Sequence, residues 1–189
     1  MQQQRRRSGI IIGLLALGVL AGVALTASPA QAVDAVGPYY AVPAWDQKKA
    51  AANRFVVLTN WFSQVVLDKE TGLVWERSTA SDLRPWGVGI HNARLACATR
   101  AVGGRKGWRL PSIVELTSLI DPTQTNPSLP QGHPFTIGLV GDYWTATTNA
   151  EDSSIAWRVN FSVGYVDIYD KTNSLQVWCV RGGMNADAY

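Results

Sequence analysis

The apolar and polar positions divide the chain into three regimes. A single apolar run from Ile10 to Leu25 carries no charge and follows Arg5, Arg6 and Arg7. From Phe55 onward, short apolar runs are punctuated by Gly, Pro, Asn and Asp, the pattern of strands and turns. Two stretches between them repeat at helical spacing.

Phe55 to Thr59 reads as a strand, after a short helix over Trp45–Asn53. Val65–Leu67 and Leu73–Trp75 read as a hairpin around Asp68–Gly72, with Gly72 supplying the positive φ such a loop needs. A first helix is expected from Trp86 to Val102, with Ile90, Ala93, Cys97 and Ala101 on its inward stripe and Gly103-Gly104 ending it. A second follows Pro111, where Ser112 and Glu115 form a capping box ahead of Ile113, Leu116, Leu119 and Ile120. Asp121-Pro122 closes it, and residues 122–141 read as a long loop. The last third alternates at period two, in Tyr143–Thr147, Ile155–Phe161, Tyr165–Tyr169 and Leu175–Arg181, joined as antiparallel hairpins. The reading places Trp157, Val159 and Phe161 on one face and Arg158 and Asn160 on the other.

The first regime changes the compartment. Three arginines, an apolar stretch, Ser28-Pro29 and then Ala30-Gln31-Ala32 make a signal peptide over 1–32. The alternative is an uncleaved anchor, but 16 residues fall short of the roughly 20 that span a bilayer. Sec and twin-arginine export both remain open. The expected product runs as a lead-in over 33–54, a domain over 55–183 and a tail over 184–189, periplasmic or extracellular.

Removing that segment also changes the charge. Without Arg5, Arg6 and Arg7, the 17 basic residues become 14, against 14 acidic ones. A nucleic-acid partner loses its support, because it needs a clustered basic face. Membrane contact is expected only through the signal peptide during export. The one local cluster, Arg100, Arg105, Lys106 and Arg109, reads as a solvated loop.

Cys97 and Cys179 are the only cysteines. In an exported chain pairing is the leading expectation; two buried thiols or a redox pair are the alternatives, although a redox pair usually sits as Cys-x-x-Cys.

Further residues resemble a known family. Glu70-Thr-Gly-Leu-Val-Trp75, then an alanine-rich helix with a cysteine, then Gly107-Trp-Arg-Leu-Pro111 with Glu115-Leu116, are similar to the Lcl C-terminal domain family, a bacterial domain of unknown function. The resemblance continues through Tyr143-Trp144, Trp157-Arg-Val-Asn-Phe161 and Cys179-Val-Arg-Gly-Gly183. It implies an α+β, C-type-lectin-like fold: two helices packed on a twisted antiparallel sheet, with one disulfide from the first helix to the last strand. It also implies an exported, often adhesive setting, and one member is associated with sulfated glycans. Trp75, Trp108, Arg109, Pro111, Glu115 and Arg181 are its structural motif positions. The arginines are expected to bond loop carbonyls or a carboxylate rather than an anionic ligand.

Catalytic chemistry finds little to stand on. The calcium-lectin triplets Glu-Pro-Asn, Gln-Pro-Asp and Trp-Asn-Asp are absent, and Asp142, Asn149, Glu151 and Asp152 read as solvated rather than as metal ligands. His91 and His133 are isolated, so zinc is not expected. No nucleophile elbow, phosphate loop or dinucleotide motif appears. The sequence therefore points to a non-enzymatic binding module, without cofactor, that recognises a glycan or a protein surface. Trp144, Asn149, Glu151, Asp152, Asn160 and Tyr165 are its candidate ligand residues. The alternatives are an envelope assembly domain, signalled by an apolar face around Trp45, Trp61 and Phe62, and a hydrolytic enzyme.

Overall fold

In the computed structural model, residues 49–182 are described, except 80, 82, 88 and 139. The expected export signal, most of the lead-in and the tail lie outside the described residues.

The chain enters through helix α1 (Ala51–Arg54) and strand β1 (Phe55–Val57). Strands β2 (Val65–Asp68) and β3 (Val74–Glu76) form the expected hairpin, with Gly72 at φ 74°. A short strand β4 (Arg84–Pro85) precedes helix α2 (Ala93–Ala98), and helix α3 (Ile113–Thr117) follows. Then come β5 (Asp142–Thr148), β6 (Ile155–Asn160), β7 (Val166–Asp170), β8 (Ser174–Leu175) and β9 (Val180–Arg181). The class is α+β with antiparallel sheets, and Cys97 is bonded to Cys179.

The second helix starts as its sequence dictates, although it ends at Thr117 rather than at Asp121. Ser112 Oγ accepts from Glu115 N–H, and Glu115 Oε2 accepts from Ser112 N–H. Leu116 and Leu119 are buried beneath it. The first helix differs from expectation: it spans six residues rather than 86–102. Asn92 caps it by accepting from Leu95 N–H at 2.8 Å, and Gly89 takes a left-handed φ of 73° just upstream. Trp86 is held out of any helix because its N–H donates to Lys171 O and its indole N–H to Thr145 O. Ile90, expected to face inward, is consequently 78% exposed.

A second difference concerns the sheet. Instead of one sheet there are three among the described residues, ordered β1-β2-β3-β9, β4-β8 and β5-β6-β7. The run 174–181 does not form one continuous strand; it pairs first with β4, then touches β5 at Tyr143–Gln176, then joins β3. Leu175 through Val180 are all buried, so period-two patterning fails there because neither face meets water.

Two cores result. One gathers aromatic rings around Trp178, whose centroid lies 5.6 Å from Trp75, 5.0 Å from Phe135, 5.9 Å from Tyr143 and 5.5 Å from Phe161. The other packs Trp86, Trp108 and Trp144 against the disulfide.

Beside the first core lies a buried ion pair. Arg54 donates to both Asp68 oxygens at 2.9 and 2.7 Å and to Ser118 O at 2.9 Å, while Glu70 lies 3.3 Å away. It joins α1, the first hairpin and the end of α3, so the last residues of the expected lead-in belong to the packed fold. Replacing Arg54 by Ala leaves two carboxylates in a dry site. We predict a loss of about 3–5 kcal/mol in chemical denaturation, against a change near zero for an exposed site such as Thr172→Ala.

Candidate functional site

Residues directly opposite across antiparallel strands share a face. Asp142 faces Asn160, Trp144 faces Arg158, Arg158 faces Asp167, and Ala156 faces Tyr169. One face of the β5-β6-β7 sheet therefore carries Asp142, Trp144, Arg158, Asn160, Asp167 and Tyr169, and Tyr165 joins them just before β7.

Arg158 lies at the centre of this face. Its guanidinium donates to Asp142 at 2.7 Å and to Asp167 at 3.0 Å. The same group lies 4.5 Å from the Tyr169 ring centroid and 5.6 Å from that of Tyr165. Burial disfavours its charge, yet the hydrogen bond to Asp167 and the charge of Asp142 outweigh that and raise its pKa. Arg158 in turn holds the Asp167 carboxyl below its ordinary value, with help from the Ile168 N–H. That last bond, 2.8 Å long, also occupies a backbone donor on β7, which has no second strand partner among the described residues.

The pattern continues along the face. Lys171, two residues beyond Tyr169, places its ammonium 4.0 Å from the Trp86 ring centroid, and Arg94 lies 4.9 Å from the same ring. Burial, then the charge of Arg94, lowers the Lys171 pKa, with Asp152 opposing. Lys171 also donates to Thr148 Oγ1 and Ser153 O, which ties down the β5–β6 loop. Tyr165, Arg158, Tyr169, Lys171, Trp86 and Arg94 thus form a series of alternating rings and cations.

The sequence-derived ligand residues divide between this face and other roles. Tyr165 lies on it, 42% exposed. Asn160 borders it but is buried; it donates to Asp142 and accepts from the Ser162 and Val163 N–H groups, shaping the β6–β7 turn. Trp144 shares the face yet is fully buried beneath Tyr169, with its indole N–H on Arg84 O. Asn149 accepts from the N–H groups of Glu151 and Asp152, and Asp152 accepts from Ser154. Asn149 and Asp152 spend these oxygens on building their own loop, while Glu151 is exposed. Sequence reasoning missed Asp167 and Tyr169 and placed Arg158 without a role. The alternation that put Arg158 with Asn160 carries the signal: continued into the next strand, it puts Tyr165, Asp167 and Tyr169 alongside.

The motif positions hold structure together elsewhere. Arg109 is paired with Glu115 and also donates to Leu110 O and Gly182 O. Arg181 donates to Lys106 O, Trp108 to Arg105 O, and Trp75 is fully buried; Pro111 is buried beside them, and its carbonyl accepts from Ala146 N–H. His91 is exposed; His133 is half-buried, accepts from Phe135 N–H, and has its pKa lowered by burial. Neither has a carboxylate within salt-bridge distance among the described residues. No group of three or more His, Cys, Asp or Glu there could hold a metal ion.

The contrast between the buried and exposed aromatics gives a stability test. Trp144→Ala is expected to cost about 3–5 kcal/mol by chemical denaturation, and Tyr169→Ala no more than about 1 kcal/mol. Comparable losses would mean that Tyr169 is a core residue.

Comparison with known families matches residues 64–181 to the Lcl C-terminal domain. No curated protein matches the chain.

Proposed function

Because this chain belongs to the Lcl C-terminal domain family, we propose that it is an exported, non-enzymatic binding module that recognises a glycan through the Tyr165–Arg158–Tyr169 face. One observation carries this reading. Tyr165 and Tyr169 stay 42% and 37% exposed although both lie against a largely buried, doubly paired guanidinium.

The chemistry suits a sugar ring. A pyranose offers an apolar C–H face and a rim of hydroxyls; a tyrosine ring takes the first, and carboxylates and guanidinium groups bond the second. Asp167 is exposed beside both rings and supplies acceptors. Arg158 loses little entropy on binding, because its partners already hold it in place. The buried Trp144 beneath Tyr169 stiffens the platform. The isolation of the histidines fits binding better than hydrolysis, which needs a base within reach of a nucleophile. The Cys97–Cys179 bridge fits an oxidising compartment, and so supports export. An adhesive use of this face, at the envelope or outside it, is the setting this reading implies.

The test is a glycan array probed with the exported chain, in calcium and in chelator. Saturable binding to a defined glycan class in both lanes is expected. Tyr165→Ala with Tyr169→Ala should weaken it at least tenfold while leaving the thermal midpoint within a few degrees. No binding in either lane would overturn the glycan reading in favour of a protein partner, and loss only in chelator would establish a metal.

A further inference from the structure

Away from the tyrosine face, residues 58–64 form a tight corner. A single 3-10 turn over Thr59–Trp61 ends with Phe62 and Ser63 both left-handed, at φ 57° and 55°. Non-glycine residues rarely adopt that conformation, and here the surroundings enforce it. Ser63 N–H donates to Leu58 O, Arg77 donates to Ser63 O, and Gln64 Oε1 accepts from Gly103 N–H at 2.9 Å. Gly103 takes φ 65°, and a Cβ there would lie 3.0 Å from Trp61, so a side chain at that position of the neighbouring turn would be strained. The outcome of this bracing is a phenyl ring that is 74% exposed.

Cations lie nearby: a Cβ on Gly104, the residue before Arg105, would lie 3.5 Å from the Phe62 ring. Arg105 and Arg181 lie 5.3 and 5.4 Å from the Trp61 ring centroid, and Arg181 donates to the carbonyl of Lys106. Among the described residues no carboxylate lies within salt-bridge distance of Arg105, Lys106 or Arg181. The balance of charge along the sequence concealed this grouping. Arg100 and Arg109, from the same basic stretch, are neutralised by Glu76 and Glu115, whereas folding brings Arg181 from the far end of the chain to the unpaired Arg105 and Lys106.

We propose that this corner docks the protein on an anionic lipid surface, with Phe62 entering the headgroup boundary and Arg105, Lys106 and Arg181 resting on lipid phosphates. The combination favours lipid over a soluble polyanion. A polyanion would engage the three cations and leave Phe62 in water, whereas a lipid interface takes the cations and the apolar ring together. Trp61, the half-buried residue before Phe62 in the chain, has the amphipathic ring suited to that boundary.

The test is co-sedimentation of the exported chain with vesicles of phosphatidylglycerol and phosphatidylcholine, and with phosphatidylcholine alone. Comparing variants on one background holds constant anything the N-terminal segment contributes. Binding is expected only to the anionic vesicles and should weaken as salt rises. Phe62→Ser, and separately Arg105→Glu with Lys106→Glu, should each reduce it at least fivefold with no change in thermal midpoint. Tyr165→Ala with Tyr169→Ala should leave it intact, which separates this proposal from the glycan reading. Absence of vesicle binding would overturn it. So would binding that survives both sets of variants, or a loss confined to the charge variant, which would identify a site for a soluble acidic partner instead.

Discussion

Between Leu175 and Arg181 the chain makes backbone contact with all three sheets, and the remaining elements take their places around that run. Leu175 pairs with Arg84, Gln176 exchanges bonds with Asp142 and Trp144, and Val180 exchanges two 2.9 Å bonds with Arg109. Cys179 is bonded to Cys97 of α2 and donates its N–H to the buried Glu76 at 3.0 Å. Trp178 centres the aromatic core and donates its indole N–H to Glu76 O. The buried part of the run, 175–180, has to be apolar on both sides, and its polar exception, Gln176, is placed where its backbone bonds β5. The disulfide closes a separation of 82 residues, which in the chain-entropy account contributes roughly 4–5 kcal/mol by restricting the unfolded state.

The candidate site inherits its rigidity from this arrangement. Asp142, the residue that fixes Arg158, also accepts the Gln176 N–H through its carbonyl. Trp144, the residue beneath Tyr169, is anchored on Gln176 from the other side. The exposed tyrosines are therefore the outer layer of a stack that reaches the centre of the molecule. Binding there would order little that is not already ordered, and affinity depends on that economy more than on area.

Local signals in the sequence are legible where local physics decides the outcome. The capping box at Ser112 and Glu115 and the hairpin around Gly72 form from interactions within a few residues, and the strands over 142–148 and 155–160 pair with each other across one loop. Long-range competition decided the misreadings. Ile90 fits a helical stripe, but Trp86 is pulled away by Lys171 and Thr145, far along the chain. The stretch 175–181 reads as one strand, but its partners lie in three sheets. Trp144 is expected among the ligand residues because the resemblance to lectin-like folds puts recognition in its segment; its burial involves Arg84 and Tyr169, which no local pattern connects to it. The period-two pattern sets Arg158 and Asn160 on one face, and the rest of the site lies across the Gly164 turn, where the same alternation continues.

If the run 175–181 joins the sheets as described, the domain opens as one cooperative unit. Native-state hydrogen exchange tests this most directly. The account predicts that the amides of Trp144, Gln176, Cys179, Val180 and Arg109 exchange together in the slowest class, with a free energy equal to that of global unfolding. Slow exchange confined to the β1-β2-β3-β9 sheet, with Trp144 and Gln176 opening at lower free energy, would contradict it.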